Sequence, residues 1–132
     1  MAKKQFDFSG WATAYGIKCS DGRVIINDAF KENDGTTVPL VWMHEHSDVS
    51  NVLGHALLEH NEKKGMYAYC SFNNTDRGKH AKELVKNGDV VALSIYANKL
   101  VQKGNEVTHG SIREVSLVLS GANPGAYIDN VI

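Results

Sequence analysis

A mainly β fold with one helix, an α+β chain built as an antiparallel barrel or sandwich, is what three features of this sequence predict. Short apolar runs recur between clusters of Gly, Asn, Asp and Ser. One stretch, 76–87, carries helical periodicity. The length of 132 residues suits one domain with one core, spanning the whole of 1–132.

Composition narrows the class further. With 42% hydrophobic and 22% charged residues the chain reads as a soluble globular protein, and a formal net charge of −1 leaves no electrostatic footprint for nucleic acid or a membrane surface. Cys19 and Cys70 are the two cysteines and form no CxxC pair, so neither a disulfide framework nor a cysteine-based zinc site is expected. A reducing compartment fits best. The N-terminus MAKKQFDFSGW lacks the apolar core of a signal peptide, and no run approaches the roughly 18 apolar residues of a membrane span.

In chain order, Gln5 to Ile17 is rich in aromatic and small residues and is interrupted by Gly10 and Gly16, which predicts a bent or bulged strand. The turn signal Ser20-Asp21-Gly22 followed by Val24-Ile25-Ile26 predicts a hairpin over residues 12–27. Asn27 to Phe30 reads as a helical turn or loop. Beyond the polar stretch ENDGTT, Val38 to His44 is a strand that Pro39 restricts to an edge or a start. Val52 to Glu59 and Met66 to Phe72 are two further antiparallel strands.

The helix from about Asp76 to Asn87 has Thr75 or Asp76 for its cap, Asn87-Gly88 for its stop, and Ala81, Leu84 and Val85 for its apolar stripe. Val90 to Lys99 (VVALSIYANK) is a strand, Lys103-Gly104-Asn105 a turn, and Ile112 to Leu119 the last strand, before the turn 121–125 and a short tail.

Candidate chemistry centres on Ser94, the one small hydroxylic residue in that strand. Period-two alternation puts it on a mixed face with Ala92 and Tyr96, while Val91, Leu93, Ile95 and Ala97 share the apolar face. Among six histidines, His60 and His80 lie between charged residues and read as solvated surface, and His55 reads as a half-buried imidazole. His44 ends an apolar strand where the chain turns polar, as a general base on a rigid element would. His44 and His46 also form an H-x-H pair, which keeps a metal-dependent hydrolase open, with a third ligand to come from elsewhere, such as His55 or His109. On the last strand, Ile112, Glu114, Ser116 and Val118 share one face. Arg113, Val115, Leu117 and Leu119 share the other, which should pack inward.

Taken together, the strand ending in His44, the glycine ten residues later in VLGHALLE, the LSIYA strand and the closing REVSLVLSGANPGA resemble the tailed-phage prohead protease family. That family is related in fold to the herpesvirus assemblins, the capsid maturation proteases. The resemblance runs from FSGWATAYG through EVSLV to the AN dipeptide, and the closing motif is its most specific part.

The resemblance implies an antiparallel β-barrel of the herpesvirus-protease type and a serine endopeptidase that trims scaffold and capsid precursors inside the immature head in the host cytoplasm. It implies Ser94 as nucleophile, His44 as base and no cofactor or metal; self-cleavage and homo-oligomerisation are compatible with it. Glu114, opening the EVSLV motif, is the expected third member, with His109 in the turn-like Thr108-His109-Gly110 as the alternative. Ser116 is the fallback nucleophile; Arg113 and backbone amides near Ser94 are candidate oxyanion donors, which the sequence does not fix. Two departures stand beside this. Tyr96 replaces a glycine that many members carry two positions after the serine, and the chain is short for the family. Both leave room for a catalytically inactive capsid-assembly protein of the same fold.

Overall fold

The structure is a computed structural model that describes residues 6–132, so Gln5, the first residue of the expected N-terminal strand, lies outside the described residues. Among these residues eight strands share one sheet: β1 (Phe8–Ala14), β2 (Val24–Ile25), β3 (Thr37–Trp42), β4 (Val52–Asn61), β5 (Gly65–Phe72), β6 (Ala92–Lys103), β7 (Glu106–Val118) and β8 (Ile128–Val131). One helix, α1 (Asp76–Lys86), joins β5 to β6, and no helix among the described residues is long and apolar enough to cross a membrane. The Thr75 side chain caps α1 by accepting from the Gly78 amide, and Ala81 and Val85 bury its inner face while Leu84 is partly exposed.

The expectation of a mainly β chain with one helix is met, but the sheet is mixed and is not closed. The strands run β2-β7-β3-β4-β5-β1-β8, with β6 on the other side of β7. Five pairings are antiparallel, whereas β2 and β3 both lie parallel to β7. Between β6 and β8 there is an isolated bridge, Ala92 to Tyr127, in place of a barrel-closing ladder. Phe8, Leu40, Leu58, Met66, Leu93, Val115 and Leu117 are among the residues that fill the core. Burying each such side chain contributes about 1.5–3 kcal/mol, which fixes the register of the strands that carry the site.

Several local expectations change. The hairpin over 12–27 does not form as paired strands: β1 pairs with β5 and β8, β2 pairs with β7, and Lys18 to Val24 is an isolated bridge. Strand β3 stops at Trp42, so His44 lies in the turn beyond it. Strand β7 starts at Glu106 and is 13 residues long, and its hairpin with β6 takes in Thr108-His109-Gly110, which is strand and not turn. The tail contributes β8.

Burial on β7 also departs from simple alternation. Val115 and Leu117 point inward as expected, but Arg113 and Leu119 are exposed. Tyr96 pairs with Glu114 and Ala97 with Ile112, so Arg113 is an extra residue in the ladder, and Leu119 lies beyond the strand's end. Glycine matters most at Gly54 on β4: a side chain there would run into the Ser71 carbonyl of β5. This is the glycine ten residues after His44.

Candidate active site

The site is built on the outer face of the β6–β7 pair and covered by the turn that follows β3. In the ladder Ser94 faces Ser116 and Tyr96 faces Glu114, so these four residues occupy one face of neighbouring rungs. The turn Trp42–Glu45 has both central residues left-handed, Met43 at φ 52° and His44 at φ 60°, and is closed by the Glu45 amide donating to the Trp42 carbonyl at 3.0 Å. That is a type I′-like geometry adopted without glycine. Each non-glycine residue held left-handed costs about 1–3 kcal/mol, and the surroundings hold it in place. The Met43 amide donates to the Leu117 carbonyl at 3.0 Å and the His44 amide to Ser116 Oγ at 3.0 Å.

The turn throws the His44 ring across the two strands. His44 Nε2 lies 2.9 Å from Ser94 Oγ, and His44 Nδ1 lies 2.5 Å from Glu114 Oε1. An ionised carboxylate only accepts, so Nδ1 carries the proton toward Glu114 and Nε2 is left as the acceptor for the Ser94 hydroxyl. The second oxygen of Glu114 accepts from Ser116 Oγ at 2.7 Å. Glu114 is 2% exposed, the His44 side chain is 38% exposed and Ser94 is half-buried. A buried acid beneath a half-exposed imidazole concentrates its field on the ring, since water does not screen the pair from below.

Ser94 forms part of the wall of a groove of about 290 Å³, shared with Ile25, Phe30, Tyr96, Leu100 and Val107. At the same groove Arg23 Nε pairs with Asp21 Oδ2 at 2.8 Å, and the Arg23 backbone amide, followed by its side chain, holds the Asp21 carboxyl below the usual carboxylate range. Cys19 also lines the groove, but burial and then the Asp21 charge push its thiol up, which keeps it protonated at neutral pH and a poor nucleophile. Cys70 is fully buried, and burial pushes its thiol up as well.

His44, Ser94 and Glu114 are thus brought together from three segments. His109 is not: it is exposed on β7, with Nδ1 3.2 Å from Thr108 Oγ1. Arg113 does not line the Ser94 groove and instead borders a separate groove with Glu32, Thr37 and Pro39. His46 stacks on Tyr96 with ring centroids 4.6 Å apart. Both ring nitrogens of His44 are engaged by Ser94 and Glu114, and no group of three His, Cys, Asp or Glu side chains placed to hold a metal occurs among the described residues.

Two histidine readings also change. His55 is exposed, and His60, expected on the surface, has a side chain only 15% exposed between the Tyr15 hydroxyl, 3.0 Å from Nδ1, and Asp28 Oδ1, 2.9 Å from Nε2. Ser116, the fallback nucleophile behind Ser94, is fully buried beside the acid, a placement that sequence reasoning did not assign to it. Its position two residues after Glu114 on a strand was the available signal, because it puts both side chains on one face.

No curated protein and no solved structure matches the chain. A family model, that of the caudovirus prohead serine protease, matches residues 2–132, which is essentially the whole chain. By that match the chain belongs to the caudovirus prohead serine protease family.

Proposed function

We propose that this protein is a serine endopeptidase that processes scaffold and capsid precursor polypeptides within the immature phage head in the host cytoplasm, with Ser94 as nucleophile, His44 as general base and Glu114 as its acidic partner. The observation that carries the reading is the unbroken chain Ser94 Oγ, His44 Nε2, His44 Nδ1, Glu114 Oε1, with contacts of 2.9 and 2.5 Å. Family membership supports the serine peptidase class and a capsid-related substrate.

In this reading Ser94 Oγ attacks the scissile carbonyl as its proton passes to His44 Nε2. Glu114 holds the ring in the tautomer with Nδ1–H and stabilises the imidazolium that forms. His44 then returns the proton to the departing amine, and water repeats the sequence on the acyl-enzyme. The groove beside Ser94 receives the polypeptide on one side of the scissile bond, with its apolar wall taking a side chain. Self-processing follows by the same chemistry.

The test is Ser94→Ala, co-expressed with a capsid or scaffold precursor, together with fluorophosphonate treatment of the wild-type protein. Loss of cleavage, retained thermal stability and an adduct on Ser94 are the expected results. Retained cleavage in the variant overturns the assignment. Absence of both adduct and cleavage in the wild type replaces it with an inactive assembly protein.

A further inference from the structure

Ser116 is fully buried, so no substrate carbonyl reaches its hydroxyl, yet both of its hydrogen-bonding directions point at the residues just assigned to catalysis. We propose that Ser116 is a positioning residue whose single hydroxyl fixes the side chain of the acid and the backbone of the base at once. This rests on the reading of Ser94, His44 and Glu114 as nucleophile, base and acid.

The direction of each bond follows from chemistry. A backbone N–H only donates, so Ser116 Oγ accepts from the His44 amide at 3.0 Å. The one hydroxyl proton is then left for Glu114 Oε2, 2.7 Å away. Two tasks are served by that arrangement. The terminal torsion of a glutamate is broad and roughly two-fold, so a carboxylate held by one oxygen alone rotates about it. With Oε2 held by Ser116, Oε1 stays on His44 Nδ1. The second task concerns the turn, where His44 is held left-handed at φ 60° and needs an anchor for its amide. Ser116 sits opposite Ser94 in the ladder, so nucleophile, acid and the backbone of the base are all referenced to neighbouring rungs of the β6–β7 pair. A positional error of about 1 Å in such a constellation costs roughly 100-fold in rate, which is the scale on which this hydroxyl should matter.

The experiment is a mutant cycle between Ser116→Ala and Glu114→Gln, read by kcat and KM on a precursor-derived peptide and by the rate of fluorophosphonate labelling of Ser94. Ser116→Ala is expected to lower kcat about 10- to 100-fold with KM within about twofold, because substrate does not touch it. In the Glu114→Gln background the same change should cost severalfold less, since the route through the acid is already cut and only the anchor for the His44 amide remains. Ser116→Thr and Ser116→Val have the same shape and differ in the hydroxyl, so this pair keeps the test open if the alanine variant folds poorly; Thr should exceed Val in labelling rate by about tenfold.

Equal costs in both backgrounds, or Thr and Val alike, reduce Ser116 to a structural residue and overturn the inference. An adduct on Ser116 overturns it as well. Full activity in Ser94→Ala sinks the underlying triad, whereas an inactive Ser94→Ala beside a fully active Ser116→Ala sinks the positioning role alone.

Discussion

Two hydroxyl–imidazole–carboxylate chains cross this molecule, and their differences show what makes such a chain chemically useful. In one, His44 stands between Ser94 and the buried Glu114; in the other, His60 stands between Tyr15 and Asp28. The burial is inverted. Glu114 is 2% exposed and its hydroxyl partner Ser94 lines a groove, whereas the Asp28 side chain is 50% exposed and Tyr15 is 6% exposed. The ring is inverted too, with Nδ1 on the acid at His44 and Nε2 on the acid at His60. Burial, opposed by the Phe30 backbone and assisted by Asp28, pushes the Tyr15 hydroxyl up to about 12, so it stays a phenol. On the proposed function, the accessible hydroxyl over a buried acid serves acyl transfer, whereas the buried hydroxyl over a solvated acid ties the end of β1 and β4 to the loop before β3.

The largest separation between the two should come from their imidazoles. His44→Ala is expected to remove cleavage as completely as Ser94→Ala, on the order of 10⁴- to 10⁶-fold, because the members act as a unit. His60→Ala should leave kcat/KM within about threefold while lowering stability by about 1–3 kcal/mol in chemical denaturation, since the buried Tyr15 hydroxyl loses its acceptor. Comparable loss of turnover in both variants would mean that the two imidazoles do not differ in their role.

The acids give the next effect. Glu114→Gln keeps the shape but presents an amide that no longer favours the Nδ1–H tautomer, and kcat should fall by about 10² to 10⁴ with KM little changed. Asp28→Asn, half in solvent, should leave turnover within about twofold. His109→Ala, on the exposed strand surface, belongs with Asp28→Asn in this assay. Collapse in His109→Ala beside normal turnover in Glu114→Gln would move the third role to His109.

Much of this contrast was legible in the sequence on one side and hidden on the other. Ser94 and Glu114 lie in apolar runs whose alternation is local, so their faces followed from period-two counting, and the closing EVSLV stretch drew attention to the acid. Their cross-strand neighbours did not follow, because the slip at Arg113 depends on how β6 and β7 meet. His44 was expected at the end of a strand; two consecutive left-handed residues without glycine are not written in MHEH, and contacts to Leu117 and Ser116 impose them. Gly110 read as a turn, yet the backbone there is strand: a side chain would lie 2.6 Å from atoms of both Leu100 and Phe30, so the glycine answers to packing. His60 looked solvated among charged neighbours because its partners, Tyr15 and Asp28, are 45 and 32 residues away. The parallel placement of β2 and β3 on β7 is likewise non-local, which is why an antiparallel sheet was expected.

The smallest expected effect isolates the second chain by pH. The Tyr15 hydroxyl ionises in the unfolded chain near its ordinary value of 10.0 and in the folded chain at about 12. A group whose folded value is raised contributes stability that is fully present below the unfolded value and is lost as pH rises toward the folded one. The window is therefore pH 10 to 12, and the whole contribution is at most about 3 kcal/mol. Tyr15→Phe removes the ionisation and, with it, this part of the alkaline loss, while the lysines and other tyrosines titrate alike in both proteins. Urea midpoints measured from pH 8 to 11 should thus fall more steeply in the wild type than in Tyr15→Phe, the two curves converging from a wild-type advantage at pH 8. Parallel curves would mean that the Tyr15 hydroxyl reaches solvent, and the burial that separates this chain from the one at Ser94 would lose its meaning.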